Sequence, residues 1–196
     1  GYFFLEESLS PALLDAMQKV CPITPNQDGA ETPAYVYSHY FLGRRATALA
    51  RIDLLNKLSQ NFDVTVYTHA DCKDILPTAI YGGKIDYYDT MPTVFQHSKL
   101  NLNITLKTIQ TGIPLRAWDI LGCGGFLLTN FQQELCDFFI PGEDFVYYES
   151  PADAIEKAAY FLSHDRERQE ITHNAFEKIA ASHTFHHRVQ SMFEII

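Results

Sequence analysis

From Tyr35 onward the apolar positions switch repeatedly between a period of two and a period near 3.6, which divides the chain into short strands and helices. Residues 35–42 read as a strand that ends at Gly43. Ala48, Ile52, Leu55 and Leu58 then recur on one face and predict a helix over 44–60. The β-branched run 62–67 predicts the next strand, followed by a helix near 71–76 and a strand over 84–88. A helix near 92–97 and a strand over 100–105 come next. Residues 114–121 predict a short helix, and 125–129, the most continuously apolar run, a central parallel strand. Residues 132–138 read as helical and 145–148 as the last strand. Helices near 151–163, 166–181 and 185–195 close the chain, the first opened by Ser150-Pro151 with Asp153 in its first turn.

Strands alternating with helices through short connections predict an α/β domain with a Rossmann-like parallel sheet and helices on both faces. Ligands of such sheets lie at the carboxyl ends of the strands. The loops to search are therefore those after Leu42, Tyr67, Tyr88, Thr105, Thr129 and Tyr148. Residues 1–34 read differently. Ser10-Pro11 signals a helix start, and Leu13, Leu14, Met17 and Val20 share one face. Pro22, Pro25, Asn26, Gly29 and Pro33 break the stretch between this helix and Tyr35. The expected organisation is a connecting segment with one helix over 1–34 and the α/β domain over 35–196.

Composition narrows the function. Hydrophobic residues make up 46% of the 196 residues, enough for a core. The net charge of −9 argues against a surface that tracks nucleic acid phosphates. The four cysteines form no CxxC pair, so a reduced, cytoplasmic protein is expected. No apolar run is long enough for a transmembrane segment. Because the sequence begins with Gly1 and not Met, it is read as a fragment or a processed form from which a partner domain is missing.

Candidate chemistry concentrates in Thr111-Gly112-Ile113-Pro114-Leu115-Arg116-Ala117-Trp118-Asp119, followed by Cys123-Gly124-Gly125. Gly112 lets backbone approach a ligand closely, and Pro114 suits the first turn of a helix. The free amides and positive end of that helix favour a diphosphate, with Arg116 adding a charged donor. Asp119 lies three residues on, on the same face, where its carboxylate can accept both hydroxyls of a ribose. Leu115, Trp118 and Leu121 are expected to pack on the sheet. The spacing alone equally fits a surface ion pair between Arg116 and Asp119. Asn103 and Thr105 end a strand at the ligand edge, where they either meet substrate or cap a turn. Tyr87, Tyr88 and Asp89 are placed near a base-binding loop. His183, His186 and His187 lack a Cys or acidic ligand at a supportive spacing, so no metal site is expected.

The runs Ser98–Thr105, Gly112–Arg116 and Asp119–Thr129, with Pro141-Gly142-Glu143-Asp144, Asn174 and His183–Arg188, carry a resemblance over about residues 40–195. The sequence resembles the CgeB-like (spore maturation protein B) glycosyltransferases, themselves similar to family 1/4 enzymes in their carboxy-terminal halves. The resemblance implies the carboxy-terminal half of a GT-B fold, which binds a nucleotide diphosphate sugar, a UDP-sugar favoured, as substrate. It implies no metal and no further cofactor. The acceptor is unknown, and the catalytic base is expected on the missing amino-terminal domain. In the family pattern a Glu holds the ribose where this chain has Asp119, and a second acid stands where it has Thr111. That departure leaves the sugar contact and the stereochemical outcome open. A basic residue after the first strand meets the diphosphate in such enzymes, a position Arg44 and Arg45 fit better than Arg51. A degenerate, non-catalytic half and another nucleotide-sugar enzyme such as an epimerase are the alternatives.

Overall fold

The structure, a computed structural model, describes residues 9–24, 31–109 and 111–194. Pro25, Asn26 and Gly29, three of the expected breakers, lie outside the described residues, as does the last position of the helix expected over 185–195. The chain forms two units. The described residues up to Asp53, with 105–109, make one; Leu54–Ile104 with the described residues from Thr111 onward make the other.

In the first unit Ser10 caps α1 (Pro11–Val20), its hydroxyl accepting the Leu13 amide at 3.3 Å. Thr32 caps α2 (Pro33–Val36) in the same way, accepting the Tyr35 amide at 3.0 Å. α2 continues into a π-helical segment, Tyr37–Gly43, and then into α3 (Arg44–Ser59). The strand expected over 35–42 is therefore helical. Its alternating aromatics mimic a period of two, but Thr32-Pro33 starts a helix just before them. Tyr35 and His39 then stack at 4.1 Å, and Tyr37 and Phe41 meet edge-on at 5.9 Å, both at helical i, i+4 spacing. Gly43 ends the segment under crowding, since an added Cβ would sit 2.1 Å from Thr108 Cγ2 and 2.9 Å from the Ser38 carbonyl.

The second unit carries the strands. β1 (Thr65–Tyr67) pairs in parallel with β2 (Ile80–Gly83). β3 (Asn101–Asn103), β4 (Leu127–Asn130) and β5 (Val146–Tyr148) form a parallel sheet in that order. Around them run α4 (Met91–His97), α5 (Leu115–Gly122), a 3-10 helix (Gln133–Asp137), α6 (Pro151–Ser163), α7 (Asp165–Ser182) and α8 (Phe185–Glu194). The expected mixed α/β architecture with parallel strands is present. Successive strand residues feed opposite cores. Leu127 and Phe145 join Met91, Phe95, Ala117, Ile120 and Leu121 in one. Phe126, Leu128, Val146 and Tyr148 join Leu54, Leu58, Ala154, Ala158 and Phe161 in the other. α7 serves both, giving Ala175 and Ile179 to the first and Ile171 to the second. Burial on both faces is why 126–128 reads as an unbroken apolar run.

Several expected elements are shorter or displaced. The strand expected over 84–88 lies earlier, as β2, and stops at Gly83 with a φ of +73°. Asp86 then captures the Tyr88 and Asp89 amides on Oδ1, each at 2.8 Å, which turns the chain out of extended conformation. The helix expected near 71–76 is only a turn, closed by the Ile75 and Leu76 amides on the Cys72 carbonyl and stopped by Pro77. The helix expected over 132–138 is the 3-10 helix. Leu115, expected in the core, is 77% exposed because it opens α5 ahead of the first buried turn. Among the described residues no helix is long and apolar enough to cross a membrane.

Candidate functional site

Gly112 precedes α5 with a φ of +89°, a conformation that favours glycine, and an added Cβ would meet nothing within 4 Å. Backbone geometry, and not crowding, therefore requires glycine there. Thr111 beside it is exposed. Pro114 stands one position earlier than expected, at the N-cap, with a ψ of 136°. Among the described residues no side chain caps this helix start. Its first amides and its positive end thus remain without a side-chain acceptor.

Arg116 and Asp119 project from the next turn and a half. Arg116 is exposed at the residue level; its Nη1 lies against Met91 Sδ, and its guanidinium lies 5.5 Å from the centre of the Phe95 ring. Asp119 is half-buried and accepts the Tyr87 hydroxyl on both carboxylate oxygens, each at 2.8 Å. Among the described residues Arg116 and Asp119 form no ion pair with each other. The hydrogen bond to Asp119 is the main reason the Tyr87 phenol ionises above its ordinary range, with burial adding to it and the nearby Arg116 charge opposing. Asp86 organises this corner. Its carboxyl is held below the usual range by the Asp89 and Tyr88 amides, and its carbonyl accepts the Met91 amide at 2.9 Å. Tyr88 is 83% exposed and meets Tyr87 edge-on at 5.1 Å.

The carboxyl end of α5 is a closed cap. The Gly124 amide bonds the Leu121 carbonyl at 3.0 Å and the Gly125 amide bonds the Ile120 carbonyl at 2.8 Å, with Gly124 at a φ of +71°. Gly125 is excluded from bearing a side chain by Asn101 Nδ2 at 2.7 Å and the Phe95 carbonyl at 2.9 Å from an added Cβ. Burial, then the Asp119 charge, pushes the Cys123 thiol up, away from nucleophilic use.

The remaining candidates fall elsewhere. Asn103 is buried, and its Nδ2 donates to Thr129 Oγ1 of the neighbouring strand at 2.9 Å. Thr105 is buried in the first unit. Arg44 and Arg45 are exposed and open α3 directly from the π-helical segment, so no strand precedes them. Arg44 lies 5.2 Å from the centre of the Tyr40 ring. Both belong to the first unit, whereas Thr111–Asp119 belongs to the second.

Two motifs have structural partners instead. The buried Asp144 carboxylate accepts the Ile140 amide at 2.6 Å and pairs with Lys178 of α7. Asn174 of α7 donates to the Glu143 carbonyl at 3.0 Å. This loop is thus held down on α7. His183 sits among Trp118, Phe138 and Phe139, with ring centres 5.3, 5.4 and 6.0 Å away. Its Nδ1 faces the Arg188 guanidinium at 3.0 Å, and burial, then the Arg188 charge, lowers its pKa.

No sequence signal brings Met91 and Phe95 to the site, and Tyr87 enters only by position. Nothing local to residue 87 points to Asp119, 32 residues away. With this geometry in place, comparison with known proteins adds one finding: residues 45–194 match the glycosyl transferase-like family. No curated protein matches the chain.

Proposed function

Since the chain belongs to the glycosyl transferase-like family, we propose that it is the donor-binding half of a GT-B glycosyltransferase. It transfers a sugar from a nucleotide diphosphate donor to an acceptor held by a further domain. The bond that breaks joins the anomeric carbon to the diphosphate, and the acceptor supplies the nucleophile. The uncapped start of α5 and Arg116 stabilise the charge that develops on the leaving diphosphate. Gly112 leaves the backbone open for its approach. Asp119 accepts the ribose hydroxyls.

The observation that carries this reading is the state of Asp119. Its two oxygens lie side by side at a half-buried position and are engaged by a neutral hydroxyl, with Arg116 left for an anion. Calorimetric titration of the chain with UDP, GDP and ADP tests it. At least one should bind weakly, with a Kd on the order of 0.1–1 mM, and Asp119→Ala should weaken that binding about tenfold. Failure of all three to bind, or binding indifferent to Asp119→Ala, would refute the reading. Thr111, exposed where the family pattern has a second acid, favours a second reading as a donor-binding half without turnover. Sugar transfer by a full-length enzyme carrying this domain would eliminate that alternative.

A further inference from the structure

The Tyr87–Asp119 contact has an unusual economy. One phenolic O–H faces two carboxylate oxygens at equal distances of 2.8 Å, so a single proton is shared between two acceptors. A vicinal diol brings two protons and can give one to each oxygen in separate, better aligned bonds. We infer that Tyr87 is a ligand-displaced latch, its hydroxyl occupying the position on Asp119 that a nucleoside diol takes. The inference rests on the donor-site reading of Asp119.

Three features make the latch releasable. Tyr87 is 44% exposed, so its ring can leave without opening the core. It stands in a turn outside any helix or strand, so no ladder of backbone bonds depends on it. The turn itself is anchored from Asp86, through the Tyr88, Asp89 and Met91 amides, which lets the side chain swing while the backbone stays. The latch also keeps the carboxylate hydrogen-bonded when no ligand is present, which avoids leaving it unpartnered at a half-buried position. A permanent strut that orients Asp119 for the ligand makes the opposite prediction, because its removal would weaken binding.

Tyr87→Phe removes only the hydroxyl at this half-exposed position, and circular dichroism checks that the fold is unchanged. In calorimetry with UDP, GDP and ADP, the variant should bind whichever nucleotide the wild type binds about three- to tenfold more tightly. The corresponding 2′,3′-dideoxy nucleotide should bind variant and wild type equally, because it makes no demand on Asp119. Binding by the variant that is unchanged or weaker would overturn the latch and leave the donor-site reading standing. Equal tightening for the dideoxy nucleotide would also overturn it. Absence of binding by both proteins would overturn the latch together with the reading beneath it.

Discussion

Gly125 and Gly112 flank the two ends of α5, and a side chain added to each would meet opposite fates. At Gly125 it would strike Asn101 Nδ2 at 2.7 Å and the Phe95 carbonyl at 2.9 Å; at Gly112 it would meet nothing within 4 Å. The polar groups divide in the same way. At the carboxyl end the last carbonyls receive the Cys123, Gly124 and Gly125 amides, and the chain passes straight into β4. At the amino end, among the described residues, no side chain caps the first turn and Arg116 has no carboxylate partner. The contrast teaches that one run of recognisable residues contains two kinds. Cys123-Gly124-Gly125 is explained by packing and capping alone. Gly112 is required by its positive φ, whereas Arg116 and Asp119 meet a thioether, an aromatic ring and a phenol instead of each other.

The comparison can be broken by substitutions read on one scale, the stability measured by urea denaturation. Leu121→Ala at the closed end should cost most, about 2–5 kcal/mol, because the side chain is 1% exposed in the first core. Gly125→Ala should cost about 1–3 kcal/mol, since two of its three nearest neighbours are backbone carbonyls that cannot swing aside. Gly112→Ala should cost about 1 kcal/mol, from the positive φ alone. Asp119→Ala should change stability by no more than about 0.5 kcal/mol, because it removes one contact to a half-exposed tyrosine. A loss at Asp119 as large as that at Gly125 would mean that the open end is architectural too.

The outer face of α5 offers a smaller, pH-dependent effect through Trp118 and His183. The folded-state pKa of His183 is lowered by burial and by Arg188, below the unfolded value of about 6.5. Between the two values the unfolded chain binds more protons. The contribution of His183 is therefore complete above about pH 6.5 and is lost as the pH falls through the lowered folded value. Melting temperatures compared near pH 7 and near pH 5 should fall less in His183→Gln than in the wild type. An equal fall in both proteins would show that His183 does not set the slope. The carboxylates held low, Asp86, Asp153 and Asp165, lose their contributions only at more acidic pH.

Signals confined to a few neighbouring residues were legible in the sequence. Ser10-Pro11 and Ser150-Pro151 start helices as expected; Ser150 Oγ accepts the Asp153 amide at 3.1 Å and Asp153 Oδ2 accepts the Glu149 amide at 2.8 Å. The apolar run before Thr129 is a strand buried on both faces because its residues are apolar without alternation. Periodicity failed at 35–42, where aromatic side chains suit either a strand or an i, i+4 helical stack and the cap at Thr32 decided between them. Position along the chain did not foretell the cross-strand bond of Asn103, whose amide donates to Thr129 Oγ1, 26 residues away.

The sequence alone determined the α/β class, most helix positions and the stretch in which Gly112, Arg116 and Asp119 stand, because caps, periodicity and spacing act over one or two turns of chain. Tertiary structure alone decided that Gly125 is crowded and Gly112 open, and that Asp119 meets Tyr87 instead of Arg116. Those outcomes depend on which distant segments share a face of the sheet, and no local energy term encodes a contact made across 32 residues.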